Sequence, residues 1–307
     1  MAWTKRSKTL VAGATGYIGR KLVMALIEKG TPPRAMARTP GKAKDLADAG
    51  AEVVPGNVLR QPNLAEAMEG VETAYYLVHS MGRGGEGDFA DQDRTGAENF
   101  AEVAAQQGVK QIVYLGGLSD AGSKHLESRH ATAGYLGSTG VPVTYFRAAA
   151  VIGGGSESFR TLYYLVKNLP LMVTPKWVQN RTQPIAIGDL IEFLCQAPSN
   201  RKARGKEIDI GGPEVTTYGG MMDCLAKVMG KRRRLKIPVP VLSPQLSSHW
   251  IGFVTPVDTG VAKPIVQGLS EETYVRDPSG MNLFDVEFTP IAEAMRLAIE
   301  EAGDDLD

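Results

Sequence analysis

A chain of 307 residues with 34 basic and 34 acidic side chains has a formal net charge of zero. No whole-molecule field then recruits nucleic acid or an anionic membrane, and any charge recognition has to be local. The length suits one large unit or two intimate ones, and the two cysteines, Cys195 and Cys224, sit in apolar, helical-looking stretches without metal-ligand spacing. They read as core thiols in a reducing compartment, and no metal site is expected.

The start, Met1 to Lys8, is short and basic and leads straight into a strand-length apolar run, which is not the pattern of an export signal. No stretch approaches the roughly 18 uninterrupted apolar residues of a spanning helix. A cytoplasmic protein is expected.

Short runs rich in Val, Ile and Leu alternate with longer amphipathic segments up to about residue 150, the pattern of a parallel sheet covered by helices. Strands are expected at Thr9 to Ala12, Arg34 to Ala37, Glu52 to Pro55, Thr73 to Val78, Gln111 to Leu115 and Val143 to Arg147. The intervening helices are Gly19 to Glu28, stopped by Gly30, Pro32 and Pro33, then Gly41 to Ala49, Asn63 to Met68 and Asp91 to Gln107. Beyond 150 proline recurs and the rhythm loosens. Helices are expected there at Ser158 to Leu169, Asp189 to Gln196, Tyr218 to Met229 and Ile291 to Ala302, before a frayed acidic tail, Gly303 to Asp307. The fold class is α/β: a Rossmann doubly wound parallel sheet over 1–150 with a smaller C-terminal substrate lobe over 151–307, partly interleaved with the Rossmann core.

The loop Gly13-Ala-Thr-Gly16-Tyr-Ile-Gly19 follows the first strand and opens the first helix. In that context the first glycine permits the tight turn, the second lets the backbone approach a pyrophosphate, and the third packs helix on strand. Thr15, Tyr17 and Ile18 contribute the rest of this cofactor loop, where phosphates meet the positive end of the helix dipole. At the end of the second strand an NAD-selective site usually offers a carboxylate. Here stand Arg38, then Thr39 and Lys42, a guanidinium, a hydroxyl and an ammonium suited to the 2'-phosphate of NADP(H). Asn57 and Val58, after the third strand, fall where the adenine edge would lie.

The Gly-x-x-Gly-x-x-Gly spacing, Gly56-Asn57-Val58, and Val113-Tyr-Leu-Gly-Gly-Leu-Ser119 resemble the atypical short-chain dehydrogenase/reductase superfamily, in particular its NmrA-like NAD(P)H-binding branch. The similarity continues through Val143-Thr-Tyr-Phe-Arg147 and Gln183-Pro-Ile-Ala-Ile-Gly-Asp189. It implies a cofactor crevice lined by Val78, His79, Gly116 and Ala148 near the nicotinamide. Active members use a strand-five Ser and a Tyr-x-x-x-Lys on the next helix. Those positions fall here at Gly116-Gly117 and at His125-x-x-x-Arg129, so all three groups are replaced.

Three readings follow. A substituted proton donor would be His79 or His125, because imidazole titrates near neutrality. A quinone or flavin acceptor would need less from the protein. A non-catalytic NADP(H)-sensing regulatory binding protein would need no turnover. The segment Ser80 to Gly87 suits a lid. Phe159, Leu162, Tyr163 and Val166 read as core, with Trp177 and Arg181 as a candidate pocket wall, while Tyr75, Tyr76 and Tyr114 read as sheet packing. The run Lys231 to Arg234 reads as a solvated edge, since the prolines that follow it in Ile237-Pro-Val-Pro-Val-Leu242 disfavour an amphipathic membrane helix. The expected partner is a small-molecule substrate, with neither nucleic acid nor membrane contact, in a monomer or homodimer.

Overall fold

Short apolar strands need cover on both faces, and the computed structural model, which describes residues 7–78, 88–118, 124–238 and 271–306, supplies it with helices. The first half runs β1 (Thr9–Ala12), α1 (Tyr17–Glu28), β2 (Arg34–Ala37), α2 (Lys44–Asp48), β3 (Glu52–Pro55), α3 (Gln61–Met68), β4 (Thr73–Tyr76), α4 (Asp88–Gln106), β5 (Gln111–Gly117), α5 (Lys124–Gly137) and β6 (Val143–Ala148). The second half adds β7 (Val151–Ile152), α6 (Glu157–Asn168), β8 (Leu171–Thr174), β9 (Arg181–Thr182), β10 (Ile185–Ala186), α7 (Ile187–Gln196), β11 (Glu207–Ile210), β12 (Thr216–Thr217), α8 (Tyr218–Val228), β13 (Leu235–Pro238) and α9 (Ile291–Ala302).

Seven strands form one parallel sheet in the order β11-β6-β5-β4-β1-β2-β3. Its direction of growth reverses between β1 and β4, and at such a switch point the carboxyl ends of the strands open a crevice. Successive side chains point to opposite faces. Val11, Ala35, Tyr75, Val113 and Phe146 therefore meet Leu22, Val23 and Leu26 of α1 and Leu190, Phe193 and Leu194 of α7. Leu10, Ala12, Tyr76, Ile112, Tyr114 and Tyr145 meet Leu64 of α3, Phe100 and Val103 of α4 and Leu136 of α5. A separate cluster joins α6, α8 and α9 through Phe159, Leu162, Leu225, Met295 and Ala298.

Most expected elements appear, with informative shifts. The first helix starts at Tyr17, two residues early, and the fourth strand stops at Tyr76 rather than Val78. The expected helix over Gly41 to Ala49 is split, because Pro40 to Ala43 takes a tighter 3-10 turn before α2. The seventh strand of the main sheet, β11, comes from the C-terminal half: Asp209 pairs in register with Arg147 of β6 and accepts its Nε–H at 2.6 Å.

The acidic tail is not frayed. Residues Gly303–Leu306 form a 3-10 turn that buries Leu306 to 2% exposure. Lys167 Nζ donates to Leu306 O at 2.8 Å, and Tyr164 and Arg160 donate to Asp305 O. Three donors from α6 thus satisfy carbonyls that a helix end would leave open.

Candidate functional site

The glycine turn has the shape its spacing implies. Gly13 sits at φ +86°, a region that favours glycine, and a Cβ there would lie 2.4 Å from Leu77 O. A Cβ on Gly19 would lie 2.2 Å from Gly13 O, so helix and turn approach as only glycine allows. Gly16 caps α1 with no side-chain cap bond, and its N–H closes the turn onto Gly13 O at 3.0 Å. Gly16 and Thr15 are exposed. With no side chain capping it, the start of α1 presents free N–H groups to an incoming anion, the arrangement that holds a pyrophosphate. The cradle fits a dinucleotide.

Arg38 and Thr39 follow the carboxyl end of β2, and Lys42 lies in the turn beyond them. All three are exposed, and none has a side-chain partner among the described residues. Arg20, on the first turn of α1, donates to Lys42 O at 3.1 Å and pairs with Asp45, which pins this basic turn against the glycine loop. Sequence reasoning passed over Arg20, although its place directly after Gly19 was a usable signal.

Tyr17 turns away from the loop it belongs to. Its ring packs against Gly153 and Gly155, where a Cβ would come within 2.2 and 2.4 Å of it, and its hydroxyl donates to Glu301 Oε2 at 2.8 Å. Glu301 also accepts from Gly154 N at 2.9 Å and pairs with Lys21 at 2.6 Å. Burial alone would raise the Glu301 carboxyl, but these three partners hold it below its ordinary range. Burial, then the bond and charge of Glu301, push the Tyr17 phenol up. Ile18 is half-buried and packs on the core beneath α1.

After β3 the Asn57 carboxamide oxygen accepts from Leu59 N at 3.0 Å, and Asn99 Nδ2 donates to Val58 O at 3.0 Å. These polar groups are committed to the turn and to α4. Val58 itself is buried, which leaves the turn as a rigid rim beside β2.

At the other side of the crevice Val78 is half-buried, and His79 and the segment Ser80 to Gly87 lie outside the described residues. His125 falls in α5, but its side chain also lies outside them. Gly116 is buried near the carboxyl end of β5. Ala148 O accepts from Leu118 N at 2.8 Å, tying the ends of β6 and β5 together.

Next to Gly116 the structure places a residue that sequence reasoning left unassigned. Tyr145 of β6 stands in register with Tyr114 and stacks on it, 5.0 Å between ring centroids at 26°. Tyr76 and Phe100 extend the row on one side, and His130 lies 6.1 Å from Tyr145 on the other. The alternation within Val143-Thr-Tyr-Phe-Arg147 could place Tyr145 on this face, but not its lean along the strand.

Trp177's side chain lies outside the described residues, while Arg181 is held by Glu272 at 2.7 Å and covers the Tyr274 ring. Phe159, Leu162, Tyr163 and Val166 are core. The two thiols are half-buried, and burial pushes Cys195 up to about 11. Among the described residues no group of three or more His, Cys, Asp or Glu is placed to hold a metal, and no helix is long and apolar enough to cross a membrane.

Residues 13–151 match the family model described as NAD(P)H-binding. The sheet order and the glycine turn give this matched part of the chain a Rossmann-like fold, in keeping with its similarity to the NAD(P)H-binding family. Over longer spans the likeness is lower. The photosystem II assembly factor Ycf39 of Trieres chinensis is 23% identical over 249 residues, 80% of this chain and 76% of that protein. Several shorter matches span only about a third of the relative's length. Among solved structures, the Citrobacter sp. triphenylmethane reductase complexed with NADP(H) superposes with a TM-score of 0.75 at 21% identity, covering 94% of this chain and 99% of its own. The NADPH-dependent quinone oxidoreductase of Escherichia coli, complexed with NADPH, gives 0.72 at 20% identity, with 94% and 98% covered. The fold, including its C-terminal half, is therefore shared with these solved structures over almost the whole chain.

Proposed function

We propose that this protein is an NADPH-dependent oxidoreductase that transfers hydride to a small organic acceptor, a carbonyl, quinone or flavin, without the Ser/Tyr/Lys group usual in its superfamily. The observation that carries the cofactor half is a pair of cations, Arg38 and Lys42, that have no side-chain partner among the described residues and stand beside a turn whose Gly13 and Gly19 leave no room for a Cβ. A 2'-phosphate there would gain charge-assisted bonds that a 2'-hydroxyl cannot make. Gly13, Thr15, Gly16 and Gly19 would hold the pyrophosphate, the rim at Asn57 and Val58 would face the adenine, and Val78, His79, Gly116 and Ala148 would line the nicotinamide end. When bound, NADPH supplies the hydride. The chain binds and orients it, and keeps water from the reacting carbon. That the similarly folded proteins include a triphenylmethane reductase and a quinone oxidoreductase supports redox chemistry on this scaffold.

A second reading, a non-catalytic NADP(H)-sensing regulatory protein, is favoured by one contact. Tyr17 of the cofactor loop is bonded to Glu301 near the C-terminus, so nucleotide binding has a route to the outer helices. One assay separates the two. NADPH and NADH are titrated by fluorescence, and oxidation of the bound cofactor is followed against carbonyls, quinones and flavins. Tighter binding of NADPH with acceptor-dependent oxidation is expected, whereas binding without oxidation by any acceptor favours the sensor.

A further inference from the structure

Tyr145 is the third of the six residues of β6, level with Tyr76 at the end of β4, and is buried, 4% of the residue being exposed. Its hydroxyl finds no hydrogen-bond partner among the described residues. The neighbouring Tyr114 hydroxyl, in contrast, donates to Arg129 O at 3.2 Å. The direction of Tyr145 is set by register. It pairs with Tyr114, yet a Cβ on Gly116, two residues farther along β5, would lie 2.7 Å from the Tyr145 hydroxyl oxygen. The ring therefore leans toward the crevice, and its hydroxyl occupies the space that any side chain at 116 would need. Gly116 is what admits it.

Resting on the oxidoreductase reading, we propose that the Tyr145 hydroxyl is the proton donor of this site and that the acceptor bears a carbonyl oxygen, as in a ketone, aldehyde or quinone. Hydride from NADPH forms the new bond to the acceptor and leaves NADP+. As the C=O π electrons move onto oxygen, that oxygen takes the proton of Tyr145, and the phenolate is then reprotonated from water. One proton and two electrons in the hydride, and one proton from solvent, account for the reduced product.

The surroundings suit both halves of that cycle. Burial, then Tyr114 and Glu207, hold the phenol protonated above its ordinary range, while Arg147 and Arg129 act in the opposite sense. The donor is thus loaded before the hydride moves, and two cations, Arg147 of β6 and Arg129 of α5, face the phenolate once it forms. Arg129 acts here as a positioning residue, as does Arg147, which is fixed to Asp209 at 2.6 Å and to Glu207 at 2.9 Å.

The test uses wild type and Tyr145→Phe. Because the hydroxyl has no partner among the described residues, the variant keeps the stacked ring and is expected to unfold at the wild-type temperature. With NADPH and menadione as the quinone probe, Y145F is expected to lose about 100-fold in kcat, while the Kd for NADPH stays within about twofold. In a second readout, protein labelled with 13Cζ-tyrosine is saturated with NADP+, which cannot reduce menadione. The resonance absent from Y145F is expected to move on adding menadione. The Tyr75 signal, whose hydroxyl is bonded to Leu194 O on the other face of the sheet, is expected to stay. An active wild type whose Y145F variant keeps kcat within about threefold, or a Tyr145 resonance that does not respond, overturns the inference about Tyr145 alone. A wild type that binds NADPH but oxidises it against no carbonyl or quinone overturns the oxidoreductase reading with it.

Discussion

Tyr17 Oη donates to Glu301 Oε2 at 2.8 Å, so a residue of the glycine loop is tied to the end of the last long helix. Glu301 takes the Gly154 N–H and the Lys21 ammonium as well. One carboxylate therefore fastens three parts of the chain. Bonds to a charged group contribute about 1.5–3 kcal/mol each when their loss leaves partners unsatisfied. Glu301→Ala is expected to lower stability by about 2 kcal/mol, measured by urea unfolding. The pH dependence has a definite sign. A carboxyl held below its unfolded value stabilises the fold above about pH 4.3, and that stabilisation is lost as pH falls through the lower folded value. The margin of wild type over Glu301→Gln should then be full at pH 7 and disappear in acid. A margin that persists at pH 2 would count against the contact.

Cofactor choice is expected to follow Arg38. Losing one charge-assisted contact to a 2'-phosphate weakens binding by about 1.5–3 kcal/mol, or roughly 10- to 100-fold. Arg38→Asp should lose that much NADPH affinity, leave NADH affinity equal or better, and unfold like wild type, because the side chain is exposed and has no partner among the described residues. An unchanged ratio of the two dissociation constants would remove Arg38 from the account.

Gly19→Ala puts a methyl group against backbone, 2.2 Å from Gly13 O, where no flexible side chain can yield. Displacing the turn should cost about 3 kcal/mol and abolish tight NADPH binding. Gly30→Ala is the control. Its φ is +74°, but no atom lies within 4 Å of the added Cβ, so only the backbone penalty of about 1–2 kcal/mol applies.

Ending the chain at Ala302 removes the buried Leu306 and leaves Lys167, Tyr164 and Arg160 without their acceptors in the tail. A cavity of one leucine costs about 2–5 kcal/mol. The truncated protein is expected to lose at least the lower figure in thermal unfolding. An unchanged melting temperature would mean that the tail contributes nothing in solution.

What could be read from the chain depended on how local the governing physics was. The strands β1, β2 and β6 stood out because sheets covered on both faces demand largely apolar runs, and Gly13, Gly16 and Gly19 because their backbone geometry is encoded within seven residues. The helix α5 was hidden. Between His125 and Gly137 few apolar residues recur at helical spacing, and Gly134 and Gly137 interrupt the pattern. The strand Glu207-Ile-Asp-Ile210 was hidden for a different reason: it forms an edge, and its charged residues pair with Arg147 rather than marking a loop. Tyr17 with Glu301, and Gly116 with Tyr145, join positions far apart in the chain, and no periodicity announces such contacts. Arg34 is the extreme case. A guanidinium at the start of an apolar strand looks like a solvent-exposed end, yet it is 1% exposed and donates to Ala67 O and Glu69 O, each at 2.8 Å.

The position of β11 bears on how the molecule is made. Everything needed for the nucleotide cradle has left the ribosome once residue 148 is out, but the neighbour that covers the far edge of β6 begins only at residue 207. At ordinary elongation rates the nascent chain carries that raw edge for several seconds, about 3–12 s, with a row of unpaired backbone groups that another strand can capture. Until residue 207 emerges, capture of the β6 edge by another strand therefore competes with completion of this sheet.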